Sequence, residues 1–432
     1  MKELRFERSY TKDDQRTYRK LPFDVPQGID RIELEYEYPR FVEVSFPEGK
    51  GRREANIIDI GLYDDQGTLY GWSGSQSQKI FVSAAGSSPG YRRGGIRSGQ
   101  WAAALGLYKI EAALNISVTI RLIPKERRLL RGDLHIHTVN SDGVYTTAQL
   151  IEAALIGGLD FIALTDHNTL IQNTEIGNPQ RLSVIAGMEY TNYRGHANFY
   201  FQSPVPEFKD NLLSNSFDEM SGTFRRAKAA GALISLNHIC CDLCPWEFGY
   251  TGFDFDMLEV WNGPMKESEI KALSFWHQRL LEGKKISIVS GSDTHRPELG
   301  RTVGFPCTFV YADSSGTEDI LNALAEGRSF LAFSPQGPII ELTIDGAGLG
   351  ETALFRAGMT GTFKVSSVKQ GDLIKLINRK EAVTMTVSFD GDYEQIFPVE
   401  DALFYRLEVH RRLLGRLLPV ALSNPVYIQE AC

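Results

Sequence analysis

Gly132-Asp133-Leu134-His135-Ile136-His137-Thr138 follows the apolar pair Leu129-Leu130 and sets two imidazoles two residues apart. Alternate side chains of an extended strand share a face, so His135 and His137 project together as a half-site suited to Zn, Mn or Fe. The pattern recurs downstream. Thr165-Asp166-His167-Asn168 follows Phe161-Ile162-Ala163-Leu164, and Asn237-His238 follows Leu233-Ile234-Ser235-Leu236. Gly291-Ser292-Asp293-Thr294-His295 follows Ile286-Ser287-Ile288-Val289-Ser290. Apolar strands that barely alternate, separated by amphipathic helices, predict a parallel sheet or barrel buried on both faces. In such barrels the C-terminal strand ends converge on one rim. Asp142, Glu189 and His196 join the set, which then holds six of the eight histidines; His277 and His410 lie outside it.

Each motif alone has a bland explanation. A lone His-x-His is more often structural than catalytic, and Asp-His at a strand end can cap the next helix. Nine donors at successive strand ends (His135, His137, Asp142, His167, Glu189, His196, His238, Asp293, His295) predict instead a polynuclear metal site.

On either side the patterning changes. Residues 1–124 read as all-β: Ile32, Leu34, Tyr36 and Tyr38 alternate with Glu33, Glu35 and Glu37, and Ile116, Val118, Ile120 and Leu122 share one side. Short strands with turn signals predict a β-sandwich-like N-terminal domain. Residues 125–335 alternate strand and helix, with helices expected near 146–159, 223–232, 266–282 and 317–327. Residues 336–432 return to strands and form a small β-rich domain. The expected class is α/β, in three domains.

Composition narrows the function. With 46 basic and 54 acidic residues the net charge is −8, so no basic footprint for a nucleic-acid polymer or an anionic membrane exists. The chain shows neither a run long enough to span a bilayer nor an apolar leader in its charged N-terminus. Five cysteines, three of them clustered at Cys240, Cys241 and Cys244, argue against a disulfide framework and fit a reducing cytoplasm. Cys241-x-x-Cys244 is a lone pair without the second pair of a zinc finger, and reads as buried thiols.

The order His-x-His, Asp-His, Glu, His, Asn-His, Gly-Ser-Asp-x-His resembles the PHP (polymerase and histidinol phosphatase) superfamily. Gly132–Thr138, Ser141-Asp142-Gly143 and Leu164–Asn168 carry the resemblance most closely. The flanking β segments and the ending Ala421–Ile428 are similar to its CehA/McbA-type metallohydrolase branch. The resemblance implies a distorted (β/α)7 barrel and two or three divalent metal ions (Mn, Zn or Fe). It implies a first metal on His135, His137, Glu189 and Asp293, and a second on Glu189, His196 and His238. A third would lie between Asp142, His167 and His295. Some relatives have histidine in place of Asp142, a harder oxygen donor here. Ile239 stands where relatives have proline after Asn-His, so the loop with the three cysteines departs from the pattern.

A metal pair of this kind activates water and clamps attacking and leaving oxygens, which predicts a phosphoesterase acting on a small, nucleotide-like phosphomonoester or phosphodiester. Asp166, beside His167, is a candidate to orient an imidazole or receive a proton. Arg296 and Arg301 are candidates to bind substrate phosphate. The same site also suits a carbamate or carboxyl ester, for which Phe201, Trp246, Phe248, Tyr250, Phe253 and Phe255 would offer an apolar pocket unless they are local core. A metal-containing binding protein without catalysis is the third expectation. A proofreading exonuclease finds no support in the charge balance.

Overall fold

The structure is a computed structural model that describes residues 1–46, 49–179, 181–202, 208 and 212–430. It divides into two compact units, Met1–Glu126 and Arg127–Cys432.

The first unit holds two four-stranded antiparallel sheets. One runs in the order Lys2–Tyr10, Leu114–Pro124, Ile29–Glu37, Lys79–Ser83; the other in the order Thr17–Val25, Gly99–Lys109, Ile57–Tyr63, Leu69–Ser73. The period-two pattern sets the register: Leu34 lies opposite Ile120 and Ile32 opposite Leu122. Ile32, Leu34 and Tyr36 are fully buried with Ile58, Ile60 and Leu105 of the other sheet in one apolar cluster. The intervening glutamates face water, and Glu35 pairs with Arg121 at 2.8 Å.

In the second unit, seven strands are consecutive neighbours in one large sheet: Ser287–Gly291, Met257–Asn262, Leu233–Leu236, Gly195–Phe201, Ser183–Asn192, Phe161–Leu164 and Arg128–Asp133. The two extremes of this run meet beyond their C-terminal ends. Asp293 N donates to His135 O at 2.7 Å and His137 N to Thr294 O at 3.1 Å. Gly291 makes the approach possible, since a Cβ there would run into the His135 side chain. The segments carrying His135–His137 and Asp293–His295 are therefore neighbours, although 156 or more residues separate them in sequence.

The strand–helix alternation is incomplete. α1 (Thr147–Ile156), α2 (Phe217–Ala229) and α3 (Glu267–Leu281) each connect strands of the run, while Ser183–Asn192 and Gly195–Phe201 form an antiparallel hairpin. Asn192 lies opposite Gly195, so Tyr193-Arg194 is the whole turn and leaves no room for a helix. The fold is thus mixed α/β but rich in strands. α1 begins where its sequence dictates: Thr146 accepts from Gln149 N, and Gln149 Oε1 accepts from Thr146 N at 2.9 Å. It stops at Gly157-Gly158, where Gly158 takes φ +74°. On α3 the buried stripe is Glu269, Ala272, Leu273, Trp276 and Leu280, and Ile270 points outward.

The expected boundary at 335/336 falls within this second unit. α4 (Thr317–Ala325) precedes Ser329–Ala332, whose Phe330 and Leu331 lie opposite Ser423 and Leu422 of Arg416–Ser423. The C-terminal strands thus extend the same sheet. Asn424 pins it to the site-bearing run: its Oδ1 accepts from Ile288 N at 2.9 Å, and its Nδ2 donates to Ile288 O and to Ser329 Oγ. Among the described residues no helix is long and apolar enough to cross a membrane.

Candidate metal centre

Glu189 lies at the middle of the cluster. It sits in Ser183–Asn192, is almost fully buried, and five imidazoles reach it. His196 Nδ1 and His238 Nε2 lie 3.2 and 3.3 Å from its Oε1, and His135 Nε2 lies 3.3 Å from the same atom. His167 Nδ1 is 2.9 Å from its Oε2, and His137 Nε2 is 3.5 Å away. Asn237 Nδ2 donates to Oε1 at 2.9 Å. Burial alone would neutralise this carboxyl, but the surrounding imidazoles, His135 and His196 foremost, hold it well below the usual carboxylate range.

Beside it, His135 Nε2 and His137 Nε2 face each other at 3.1 Å, with Asp293 Oδ1 at 3.4 and 3.1 Å. Burial opposes the charge on Asp293, and His135 and His137 overcome it, so its carboxyl too is held well below the usual range. Two ring nitrogens and two carboxylates that converge at these distances make a donor set of the kind that binds a divalent cation. Asp142 Oδ1 forms the outer edge, 3.2 Å from His295 Nε2 and 3.5 Å from His167 Nε2. His137 Nδ1 is buried without a hydrogen-bond partner, and Asp142 Oδ1 stands 3.9 Å from it. The Asp142 side chain is 54% exposed, so the cluster opens to solvent on that side. The nine donors predicted from sequence therefore lie together in one cluster, which fits divalent metal ions by donor type and by the orphaned His137 nitrogen.

Further groups hold these donors in place. Glu259 Oε1 accepts from His135 Nδ1 at 2.9 Å, and its Oε2 accepts from His238 N and Asn262 Nδ2, each at 3.1 Å. That bond fixes the His135 tautomer and leaves Nε2 free to ligate. A carboxylate in the wholly buried strand Met257–Asn262 must find a partner, the signal by which sequence marks Glu259 as paired. Thr191 Oγ1 meets His167 Nδ1 at 2.5 Å, and Asp293 O meets His295 Nδ1 at 2.9 Å. Asp133, which sequence left without a role, is fully buried. It accepts from His135 N, Ser292 N and Gly304 N, so it ties the two motif-bearing segments together. His238 and Asp293 take φ +29° and +52°, strained values that such packing sustains.

The other predicted residues are placed as follows. Asp166 accepts from Thr138 N at 2.8 Å and Ser141 Oγ at 2.7 Å, so it shapes the loop that leads to Asp142 instead of touching an imidazole. Arg301 Nη1 donates to Asp293 Oδ2 at 2.8 Å and to the carbonyls of Ser292 and Asp293, which makes it a clamp on a donor residue. Arg296 lines a groove of about 680 Å³ with Tyr145, Gln149, Ile156, Thr294 and Leu299. The six aromatics considered for an apolar pocket are core: Phe201, Trp246 and Phe253 are buried in one cluster, and Phe248, Tyr250 and Phe255 pack against it.

His277 and His410 are accounted for elsewhere. His277 Nδ1 faces Arg406 Nη2 at 3.3 Å, and His410 Nε2 lies 2.7 Å from Glu408 Oε2. His277→Ala is expected to leave metal content unchanged by elemental analysis. Glu259→Gln is expected to weaken metal retention about 10- to 100-fold in chelator competition while circular dichroism stays that of the parent.

No protein-family model matches the chain, and no curated protein matches it. Solved structures do. A two-domain protein of Bacteroides vulgatus containing a predicted PHP-like metal-dependent phosphoesterase shares 19% identity over 69% of this chain and 95% of its own, with a TM-score of 0.39. A protein of Bifidobacterium adolescentis, assigned by prediction as a metal-dependent phosphoesterase, shares 18% over 38% of this chain and 87% of its own, with a TM-score of 0.28. An amidohydrolase of Chromobacterium violaceum, solved with bound sulfate and no metal, shares 15% over 40% and 90%, with a TM-score of 0.31.

Proposed function

We propose that this chain is a metal-dependent phosphoesterase of the PHP kind, acting on a small phosphomonoester or phosphodiester. The carrying observation is the convergence of nine motif residues, the buried carboxylate of Glu189 among them, in one cluster. The run of seven strands whose ends meet at residues 135–137 and 293–294 supports its reading as a distorted barrel of that superfamily.

His135, His137, Glu189 and Asp293 would hold one divalent ion, Glu189, His196 and His238 a second, and Asp142, His167 and His295 a third. When bound, such ions polarise the ester and lower the pKa of water toward neutrality. The chain's own residues do the rest. Glu259 and Arg301 keep His135 and Asp293 in their orientations, so that no reorganisation is needed as charge develops. Asp166 holds the Thr138–Ser141 loop and with it the position of Asp142. Arg296 offers a planar, permanently charged donor array to an anionic group seated in the adjoining groove. The apolar walls of that groove, Ile156 and Leu299, suit the body of a small ester better than a polymer.

The carbamate alternative loses its apolar pocket to the core packing of the six aromatics. The deciding experiment compares hydrolysis of an aryl phosphomonoester, an aryl phosphodiester and an aryl N-methylcarbamate by Mn²⁺-loaded protein, with Asp293→Asn as control. Phosphate-ester turnover absent from the variant is the expected result. Turnover of the carbamate alone would replace the proposal, and metal binding with silence on all three would leave a binding role.

A further inference from the structure

The outer ring nitrogens of His135, His167 and His295 each face an oxygen: Glu259, Thr191 and the Asp293 carbonyl. His238 differs. Its Nε2 faces Glu189, and its Nδ1 faces the sulfur of Cys244 at 3.7 Å. That sulfur lies 3.2 Å from Cys241 Sγ, and both thiols are free and partly exposed. The loop is a tight one: Cys241 N donates to His238 O at 2.8 Å and Trp246 N to Ile239 O at 3.1 Å. Two sulfurs in this arrangement need to approach by about 1 Å to reach bonding distance.

We infer that Cys241 and Cys244 form a thiol–disulfide modification site that controls how firmly His238 is held as a metal ligand. The inference rests on the metal-site reading above. Reduced, Cys244 accepts the Nδ1–H of His238 and keeps Nε2 aimed at Glu189, as Glu259 does for His135. The oxidant is a small-molecule disulfide such as glutathione disulfide. One cysteine thiolate attacks it, forming a mixed disulfide and expelling one thiolate, which takes up the proton the cysteine lost. The second cysteine, as thiolate, attacks the bound sulfur of the first and expels the other thiolate, which is protonated in turn. Two protein thiols are oxidised to one disulfide and the reagent is reduced to two thiols. Bonded to Cys241, the Cys244 sulfur is drawn away from the position in which it accepts the Nδ1–H, so His238 loses its orienting partner. Cys244 is thus a positioning residue, and Cys241 is the partner that releases it.

The test uses the full chain loaded with Mn²⁺ and equilibrated in reduced or oxidised glutathione. Free thiols are then mapped by alkylation under denaturing conditions, and metal per chain is followed through a chelator titration. The oxidised protein is expected to show a Cys241–Cys244 bond with Cys240 and Cys307 alkylated, and to lose part of its metal at about tenfold lower chelator concentration. Cys241→Ser should retain metal equally in both buffers. Cys244→Ala, which removes the acceptor altogether, should lose it early in both, with circular dichroism reporting that the fold is intact. Thiols that both remain alkylatable, a bond to Cys240 instead, or a disulfide that leaves the titration unmoved would overturn the inference. Reduced protein that binds no metal would overturn the proposed function itself, and with it the coupling, whatever the thiol map shows.

Discussion

Glu189→Gln is expected to abolish hydrolysis and to strip metal while leaving the fold in place. Its carboxylate is approached within 3.5 Å by His135, His137, His167, His196 and His238. The amide keeps the volume but removes the charge and turns one oxygen into a donor aimed at ring nitrogens. Loss of an outer partner already costs about 10- to 100-fold in affinity or activity, so loss of the central carboxylate should exceed about 100-fold. Metal per chain and turnover should fall together, with near-ultraviolet circular dichroism close to the parent's. A variant that keeps its full metal complement would show that Glu189 is a structural carboxylate satisfied by protonated imidazoles.

Glu408→Ala is expected to produce the largest loss of stability outside the centre. The Glu408 carboxylate bridges Arg406 Nη1 at 2.6 Å and His410 Nε2 at 2.7 Å, and all three side chains are at most 10% exposed. Arg406 lies over the Trp276 ring, so removal of Glu408 leaves a buried guanidinium without its anion. Breaking such a pair costs about 3–5 kcal/mol. Burial alone would raise the Glu408 carboxyl, but the bond from His410 and the charge of Arg406 bring it down to about 2. A depressed carboxyl contributes stability that is complete above its unfolded value and lost as pH falls from there through the folded value. The wild type should therefore lose on the order of 3 kcal/mol between about pH 4.5 and 2 through this group, a slope that Glu408→Gln lacks. Thermal midpoints of both proteins across that interval measure it, and parallel curves would remove Glu408 from the account.

Much of the site was legible because metal-ligand chemistry needs few residue types at strand ends. His135, His137, His167, His238, Asp293 and His295 each follow an apolar run, and the structure brings them into one cluster with Glu189. The hairpin that carries His196 turns at Tyr193-Arg194, and Gly195, paired with Asn192 at the start of the return strand, takes φ +150°. Arg301 is only a candidate phosphate ligand in sequence, because a loop arginine after the last motif looks free there. Its clamp on Asp293 depends on a fold-back that no local pattern encodes. The six aromatics were ambiguous for a similar reason: core and pocket walls share a composition, and only three-dimensional packing separates them.

Sequence by itself determined the periodic features of this protein. Strand alternation around Ile32 to Glu37, the capping of α1 by Thr146 and the donor types at each strand end all follow from side chains within a few residues of one another. Only the tertiary structure decided which distant groups share an environment. It joined residues 135–137 to 293–294, set Glu259 behind His135, and carried the C-terminal strands into the same sheet through Phe330 and Leu331. It also turned Cys244 toward His238. Those pairings depend on chain closure over long separations, where the gain comes from burial and hydrogen bonding that local sequence does not encode.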